Sequence, residues 1–158
     1  MRLYHGSTIE VSAPSVARSR RNLDFGPGFY ATSFRSQAER WARRKAVFES
    51  ATPIVNVYEL SEDLSAFRVL EFPRNDGAWL DFVCACRRGE LPCEGYDLVV
   101  GGVADDKVYE AVSLYYRGIW DRQTTLSALR FYGRNDQYCF VTQEAVDALL
   151  SFVSSYEV

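Results

Sequence analysis

A chain of 158 residues, 47% hydrophobic and 25% charged, holds enough apolar side chains for one buried core, is too short for two, and does not have the composition of a disordered segment. Its formal net charge of -3 supplies no bulk attraction for nucleic acid. No run of about 18 apolar residues could span a bilayer, and the opening Met1-Arg2-Leu3-Tyr4-His5-Gly6 lacks the apolar core of a signal peptide.

In chain order, residues 2–5 read as a short strand. Residues 6–29 are rich in Ser, Arg, Gly and Pro and read as a long irregular loop, of a length that usually serves function. Phe29 to Thr32 reads as a second short strand. Ser36, with Glu39 three residues later, reads as a capping box opening a helix that runs to about Phe48, with Ala38, Trp41, Ala42 and Lys45 on one side. Pro53 precedes a strand over 54–60, and a further strand is expected over 67–72. Asn75 or Asp76 caps a helix near 77–88, whose apolar stripe is Trp79, Leu80, Phe82, Val83 and Cys86. Tyr96 to Val100 reads as an apolar strand ending at Gly101-Gly102. Helices are expected over 105–117 and 122–132, a strand over 137–142, and a last helix over 143–155 with Val146, Leu149, Leu150 and Val153 on one face. Strands and helices mix without βαβ alternation, so the class is α+β, one domain over 1–158.

The four cysteines form no Cys-x-x-Cys pair, and one histidine cannot complete a Cys/His zinc site, so no metal is expected. Cys84, Cys86 and Cys139 lie in apolar segments and read as buried free thiols of a reducing cytoplasm. No Gly-x-Gly-x-x-Gly after a strand and no Walker A motif occur, so a nucleotide would bind without the common phosphate-cradling loops.

Three stretches carry the chemistry. Leu3-Tyr4-His5-Gly6-Ser7 places the chain's one histidine at a strand end. Asp24-Phe25-Gly26-Pro27-Gly28-Phe29-Tyr30-Ala31-Thr32-Ser33 imposes a tight turn before an aromatic strand. Asn135-Asp136-Gln137-Tyr138-Cys139-Phe140-Val141-Thr142 leads a polar cluster into a strand. With Tyr96-Asp97-Leu98-Val99-Val100-Gly101-Gly102-Val103-Ala104-Asp105-Asp106, these segments resemble the bacterial ADP-ribosyltransferase-like family DUF3990, on the H-Y-[E/D/Q] branch of the ADP-ribosyltransferase fold. The likeness runs over about residues 2–150.

The resemblance implies a split β-sandwich of two small, mostly antiparallel sheets with surrounding helices, and NAD+ as co-substrate. It implies a mono-ADP-ribosyltransferase that breaks the nicotinamide–ribose bond and passes ADP-ribose to a macromolecular acceptor. Arginine, glutamate, a nucleic-acid base and a terminal phosphate are all open as acceptors, and the near-neutral charge places protein before nucleic acid. His5 would bond a ribose hydroxyl, Gly6 would let its backbone approach the carboxamide, Tyr30 would stack on the nicotinamide, and Gln137 would hold the ribose 2′-hydroxyl. Ser7, Asp24, Gly28, Thr32 and Arg35 would complete the NAD+ site. Phe29 is assigned to the core and Tyr30 to the pocket, because strand neighbours face opposite ways. Arg18, Arg20, Arg21 and Arg35 are the nearest candidates for the pyrophosphate. Gln137 is an amide and no base; either the acceptor needs little activation, or Asp136, Asp105 or Asp106 assists, or transfer is lost. The alternatives are an NAD+ glycohydrolase and a non-catalytic NAD+ or ADP-ribose binding module. By family analogy the setting is a cytoplasmic toxin with an antitoxin partner, or an effector secreted into a host cell.

Overall fold

The computed structural model describes residues 1–104, 106–130 and 135–158, with the side chains of 106 and 107 left out. The order is β1 (Arg2–Ser7), β2 (Phe29–Ala31), α1 (Arg35–Glu49), β3 (Ile54–Leu60), β4 (Val69–Glu71), α2 (Gly77–Arg87), β5 (Leu98–Gly101), α3 (Asp106–Tyr116), α4 (Arg122–Leu129), β6 (Gln137–Phe140), α5 (Gln143–Leu149) and β7 (Leu150–Glu157). Single 3-10 turns occur at Val16–Arg18 and Pro92–Gly95. The class is α+β. Two small sheets, ordered β1-β3-β7 and β2-β6-β5-β4, are antiparallel throughout except for the parallel β4–β5 pair.

The sheets face each other across a core of Leu3, Tyr58 and Leu60 from the first and Phe29, Ala31, Leu98 and Phe140 from the second, closed by Val146 and Leu149 of α5. They are joined at one isolated bridge, where Tyr4 and Thr32 exchange N–H···O bonds of 2.8 and 2.9 Å. Beyond that bridge β1 and β2 part, and the split between them opens into a cleft. On the outer side of the first sheet, α1 packs Ala38 and Ala42 against Val55. The second sheet carries a larger core built by α2, α3 and α4 around Phe25, Trp79, Val83, Val112 and Cys139.

Two expectations are corrected. Ser36 does not cap α1. The N-cap is Phe34, without a side-chain bond, and Glu39 accepts instead from Arg35 Nε (2.9 Å) and the Tyr156 hydroxyl (3.2 Å). The last helix stops at Leu149, and 150–157 form β7 along β3. In Ser151-Phe152-Val153-Ser154-Ser155-Tyr156 the β-branched and aromatic Phe152, Val153 and Tyr156 favour the pleated backbone, and the three serines add little to a helix. The register shifts between Val57 and Tyr58, opposite Val153, which is left unpaired and exposed. That bulge changes the parity of the strand, so Phe152 packs on Tyr58 inside the sandwich while Tyr156 packs against α1. Elsewhere the edges differ by a few residues: β1 extends to Ser7, and the 67–72 strand shrinks to Val69–Glu71. Asp76 caps α2 by accepting from Ala78 N and Trp79 N. Residues 131 and 132 of the expected fourth helix lie outside the described residues.

Candidate functional site

The split opens into a cleft of about 1180 Å³, above the size range of pockets for drug-sized ligands. His5, Gly6, Ser7, Asp24, Gly28, Tyr30 and Gln137, from three distant stretches of chain, all line it. Thr32 and Arg35 do not. Thr32 is fully buried, donating from Oγ1 to Asp136 (2.8 Å) and accepting from Phe34 N (3.0 Å), because it closes the bridge between the sheets. Arg35 stands on the outer face of α1, bound to Glu39 and lying 4.7 Å over the Tyr156 ring.

His5 occupies the point where β1 and β2 part. Its Nδ1 lies 2.6 Å from the carbonyl oxygen of Tyr30. A carbonyl only accepts, so Nδ1 carries the proton, and the neutral ring presents Nε2 as an acceptor. Burial pulls its pKa from the usual 6.5 down to about 4; the Tyr30 bond opposes this and the positive charge of Lys45 adds to it. The imidazole is therefore neutral near pH 7. It packs on the Phe29 ring, 4.6 Å between centroids.

Each glycine of the site has a packing reason. A Cβ on Gly6 would stand 2.3 Å from Ala38 O and 2.7 Å from Ala42 N, so α1 can lie on β1 only if residue 6 has no side chain. A Cβ on Gly28 would stand 2.5 Å from Cys139 Sγ and 2.6 Å from Phe140 O, so β2 pairs with β6 only through glycine. Gly26 has φ +80°, which favours glycine and turns the chain sharply before Pro27. Tyr30 stitches that same turn, its hydroxyl donating to Gly26 O (2.5 Å) and accepting from Phe25 N (3.2 Å). Its ring thus stands fixed in the cleft wall, and burial raises the phenol well above its usual pKa. Phe29 is 6% exposed and belongs to the inter-sheet core, with an edge reaching the cleft.

The turn places the Asp24 carboxylate in the cleft, where Arg87 Nη2 (2.7 Å) and Nε (3.2 Å) donate to Oδ1 and Ala104 N (3.2 Å) to Oδ2. Gln137, at the start of β6, points its Nε2 at Gly102 O (3.3 Å) and Asp24 Oδ2 (3.5 Å). Asp136 is no part of the cleft. It accepts from Thr32 Oγ1, Ser33 N (2.8 Å) and Ser33 Oγ, tying the start of α1 to β6. Asn135 braces Val103 through its Oδ1 (3.0 Å). Asp105 and the side chain of Asp106 lie outside the described residues.

Among the described residues the cleft carries six cationic side chains, Arg18, Arg20, Arg44, Lys45, Arg87 and Arg117, against the carboxylates of Asp24 and Glu49. Its balance is opposite in sign to the chain's net charge of -3. Arg18 and Arg20 are reached from the sequence; Arg21 does not line the cleft. Arg44, Lys45, Arg87 and Arg117 are missed, because only tertiary packing brings the outer edge of α1 and the ends of α2 and α3 to the same opening. A signal existed for two of them. Trp41, Arg44, Lys45 and Phe48 form a stripe at helical spacing, distinct from the buried Ala38, Ala42 and Ala46.

The four cysteines are free and buried, as expected for Cys84, Cys86 and Cys139. Among the described residues there is no cluster of metal-ligating side chains, and no helix is long and apolar enough to cross a membrane. No curated protein and no solved structure matches the chain. The family described as "Protein of unknown function (DUF3990)" matches residues 1–152, so the chain belongs to the DUF3990 family.

Proposed function

We propose that the chain is an NAD+-dependent ADP-ribosyltransferase acting on a macromolecular acceptor, protein before nucleic acid. The observation that carries this reading is the convergence of His5, Tyr30 and Gln137 on one cationic cleft with room for a dinucleotide. Cationic side chains suit the pyrophosphate, and the fixed Tyr30 ring suits a planar pyridine. His5 Nε2 accepts a hydrogen bond from a ribose hydroxyl, which orients the sugar without bringing a positive charge beside the one that develops on it. In the reaction the bond between ribose C1′ and the nicotinamide nitrogen breaks, and its electron pair neutralises the ring. The acceptor's nucleophile then bonds C1′ and gives its proton to solvent. A neutral histidine and an amide stabilise this path by orientation and dipoles, with no metal in the scheme. Modification of a macromolecule in the producing cell would call for an antitoxin partner; delivery elsewhere would make the chain an effector.

Gln137 favours a second reading, an NAD+ glycohydrolase or a module that binds without turnover, since an amide cannot deprotonate an acceptor. Labelled NAD+ incubated with the protein and a bacterial lysate separates the three. Label in protein or nucleic acid supports transfer. Nicotinamide release with free ADP-ribose supports hydrolysis, and binding without release supports the module. No calorimetric heat with NAD+ and no thermal shift would end all of them. His5→Asn is the informative variant, because its amide nitrogen can replace Nδ1 as donor to Tyr30 O while the acceptor at Nε2 is lost. Transfer should fall about 100-fold or more, with the fold kept.

A further inference from the structure

The contacts of Gln137 fix which way its amide points. Its Nε2 faces Gly102 O at 3.3 Å and Asp24 Oδ2 at 3.5 Å, and both atoms are acceptors. The flipped amide would set oxygen against oxygen at both places. Neither acceptor is free to turn away. Trp79 Nε1 donates to the same Gly102 O (3.0 Å) from the fully buried indole of α2. Asp24 is gripped by Arg87, which in turn lies 4.6 Å over the Tyr109 ring of α3, and its Oδ2 also accepts from Ala104 N. Among the described residues the other end of the amide, Oε1, has no hydrogen-bond partner, and no buried side-chain oxygen is left unsatisfied, so Oε1 opens to the cleft.

We propose that Asp24 is a positioning residue that locks Gln137 with its oxygen toward the cleft, and that it thereby makes position 137 a site for glutamine and against glutamate. The catalytic consequence rests on the ADP-ribosyl transfer reading, which this role of Asp24 deepens. Oε1 then presents to a ribose hydroxyl the acceptor that a carboxylate would present, while the negative charge of this end of the cleft resides at Asp24. A glutamate at 137 could not donate to either neighbour, and would hold a second carboxylate about 3.5 Å from the first. Of the other groups near Asp24, the Arg87 guanidinium pairs with its Oδ1, while the Tyr30 phenol and the Cys84 and Cys86 thiols stay neutral at the pH values used. Burial pushes up the Tyr30 phenol and the Cys84 thiol, and the bond to Cys93 does the same for Cys86.

The test is a charge relocation in the full chain, with Asp24→Asn, Gln137→Glu and the double variant. Two readouts are taken: nicotinamide release from NAD+, resolved into kcat and KM, and the titration of the carboxyl introduced at position 137, followed by carbon NMR without NAD+. The expected result is a loss of about tenfold or more in kcat for each single variant at pH 7. Gln137→Glu recovers as pH falls and its carboxyl protonates; the double variant recovers at pH 7 because one carboxylate again faces one amide. The introduced carboxyl should titrate at least about one pH unit higher in Gln137→Glu, where Asp24 is kept, than in the double variant. A Gln137→Glu enzyme as active as wild type at pH 7, a double variant no better than the worse single one, or equal titrations of that carboxyl in Gln137→Glu and the double variant would each overturn the proposal. If the wild type neither binds nor cleaves NAD+, the functional reading fails on its own, while the titration still decides whether Asp24 governs position 137.

Discussion

Acidification tests the placement of His5 directly. The chain has one histidine, so its imidazole C–H signals in proton NMR are unambiguous. A fall from the usual 6.5 to about 4 means that the neutral ring is favoured in the folded protein, by burial first, against the help of the Tyr30 bond. Between about pH 4 and 6.5 the unfolded chain then binds more protons at this site than the folded one, so stability rises with pH across that window. The full difference corresponds to about 3 kcal/mol, an upper bound because the ring borders an open cleft and water screens part of the effect. Urea unfolding followed by tryptophan fluorescence, at pH 7.5, 6, 5 and 4, gives the assay. Carboxylates also lose stability on acidification, so the quantity compared is wild type minus His5→Asn, in which they cancel. That difference should be flat above about pH 6.5, shrink by about 2–3 kcal/mol toward pH 4, and flatten again below. A histidine signal titrating near 6.5, or a difference independent of pH, would refute the half-buried, neutral, Nδ1-protonated ring.

Two further outcomes are expected. Gly6→Ala would drive a Cβ into the backbone of α1, 2.3 Å from Ala38 O, where no rotamer change gives relief. Overpacking of this kind costs about 3 kcal/mol, and the melting temperature should drop by about 6–12 °C; an unchanged melting point would show that α1 can move off β1. Asp136→Ala removes the acceptor shared by Thr32 and Ser33, for a loss of about 3 kcal/mol read as a lower urea midpoint at constant slope. A normal midpoint would mean that water replaces the carboxylate and that Asp136 braces nothing.

The sequence displays local determinants well and distant ones poorly. Asp76 is legible as a cap because its two acceptor bonds go to residues two and three places on. The first strand, the Gly26 turn and the 54–60 strand are legible for the same reason: each is set by its own residues. Ser36 misleads because the start of α1 is held by Asp136, about a hundred residues away, and no local pattern announces that. The helix expected over 143–155 fails because Val153 sits at helical spacing from Val146 and Leu149, whereas the pairing of 150–157 with β3 is a long-range gain that periodicity cannot register. At the site, the residues lining the split from β1, the turn, β2 and β6 are visible as ordered motifs. The cations at the ends of α2 and α3 are not, and the stripe of α1 that carries Arg44 and Lys45 does not say what it faces, since nothing in their own neighbourhoods says that those three helices share an opening.

Motif residues prove little about function until packing has been subtracted from them. Gly6 and Gly28 are required by α1 and β6, Gly26 by the turn, and the Tyr30 hydroxyl by the backbone of that turn. A protein with no ligand would need all four to build this sandwich. What packing leaves over is narrower: the far nitrogen of His5, the far oxygen of Gln137 and the face of Tyr30, in a cleft lined by cations of which Arg87 is spent on Asp24. The near ends of His5 and Gln137 are used up, one by Tyr30 O and the other by Gly102 O and Asp24. Each side chain is thus oriented by its structural end, so that its acceptor atom meets the cleft. Two neutral acceptors and a flat ring beneath a rim of positive charge suit a ligand that brings hydroxyls, a planar heterocycle and phosphates together. The proposed NAD+ brings those three parts together, so the reading rests on the atoms that packing leaves over and not on the motifs alone.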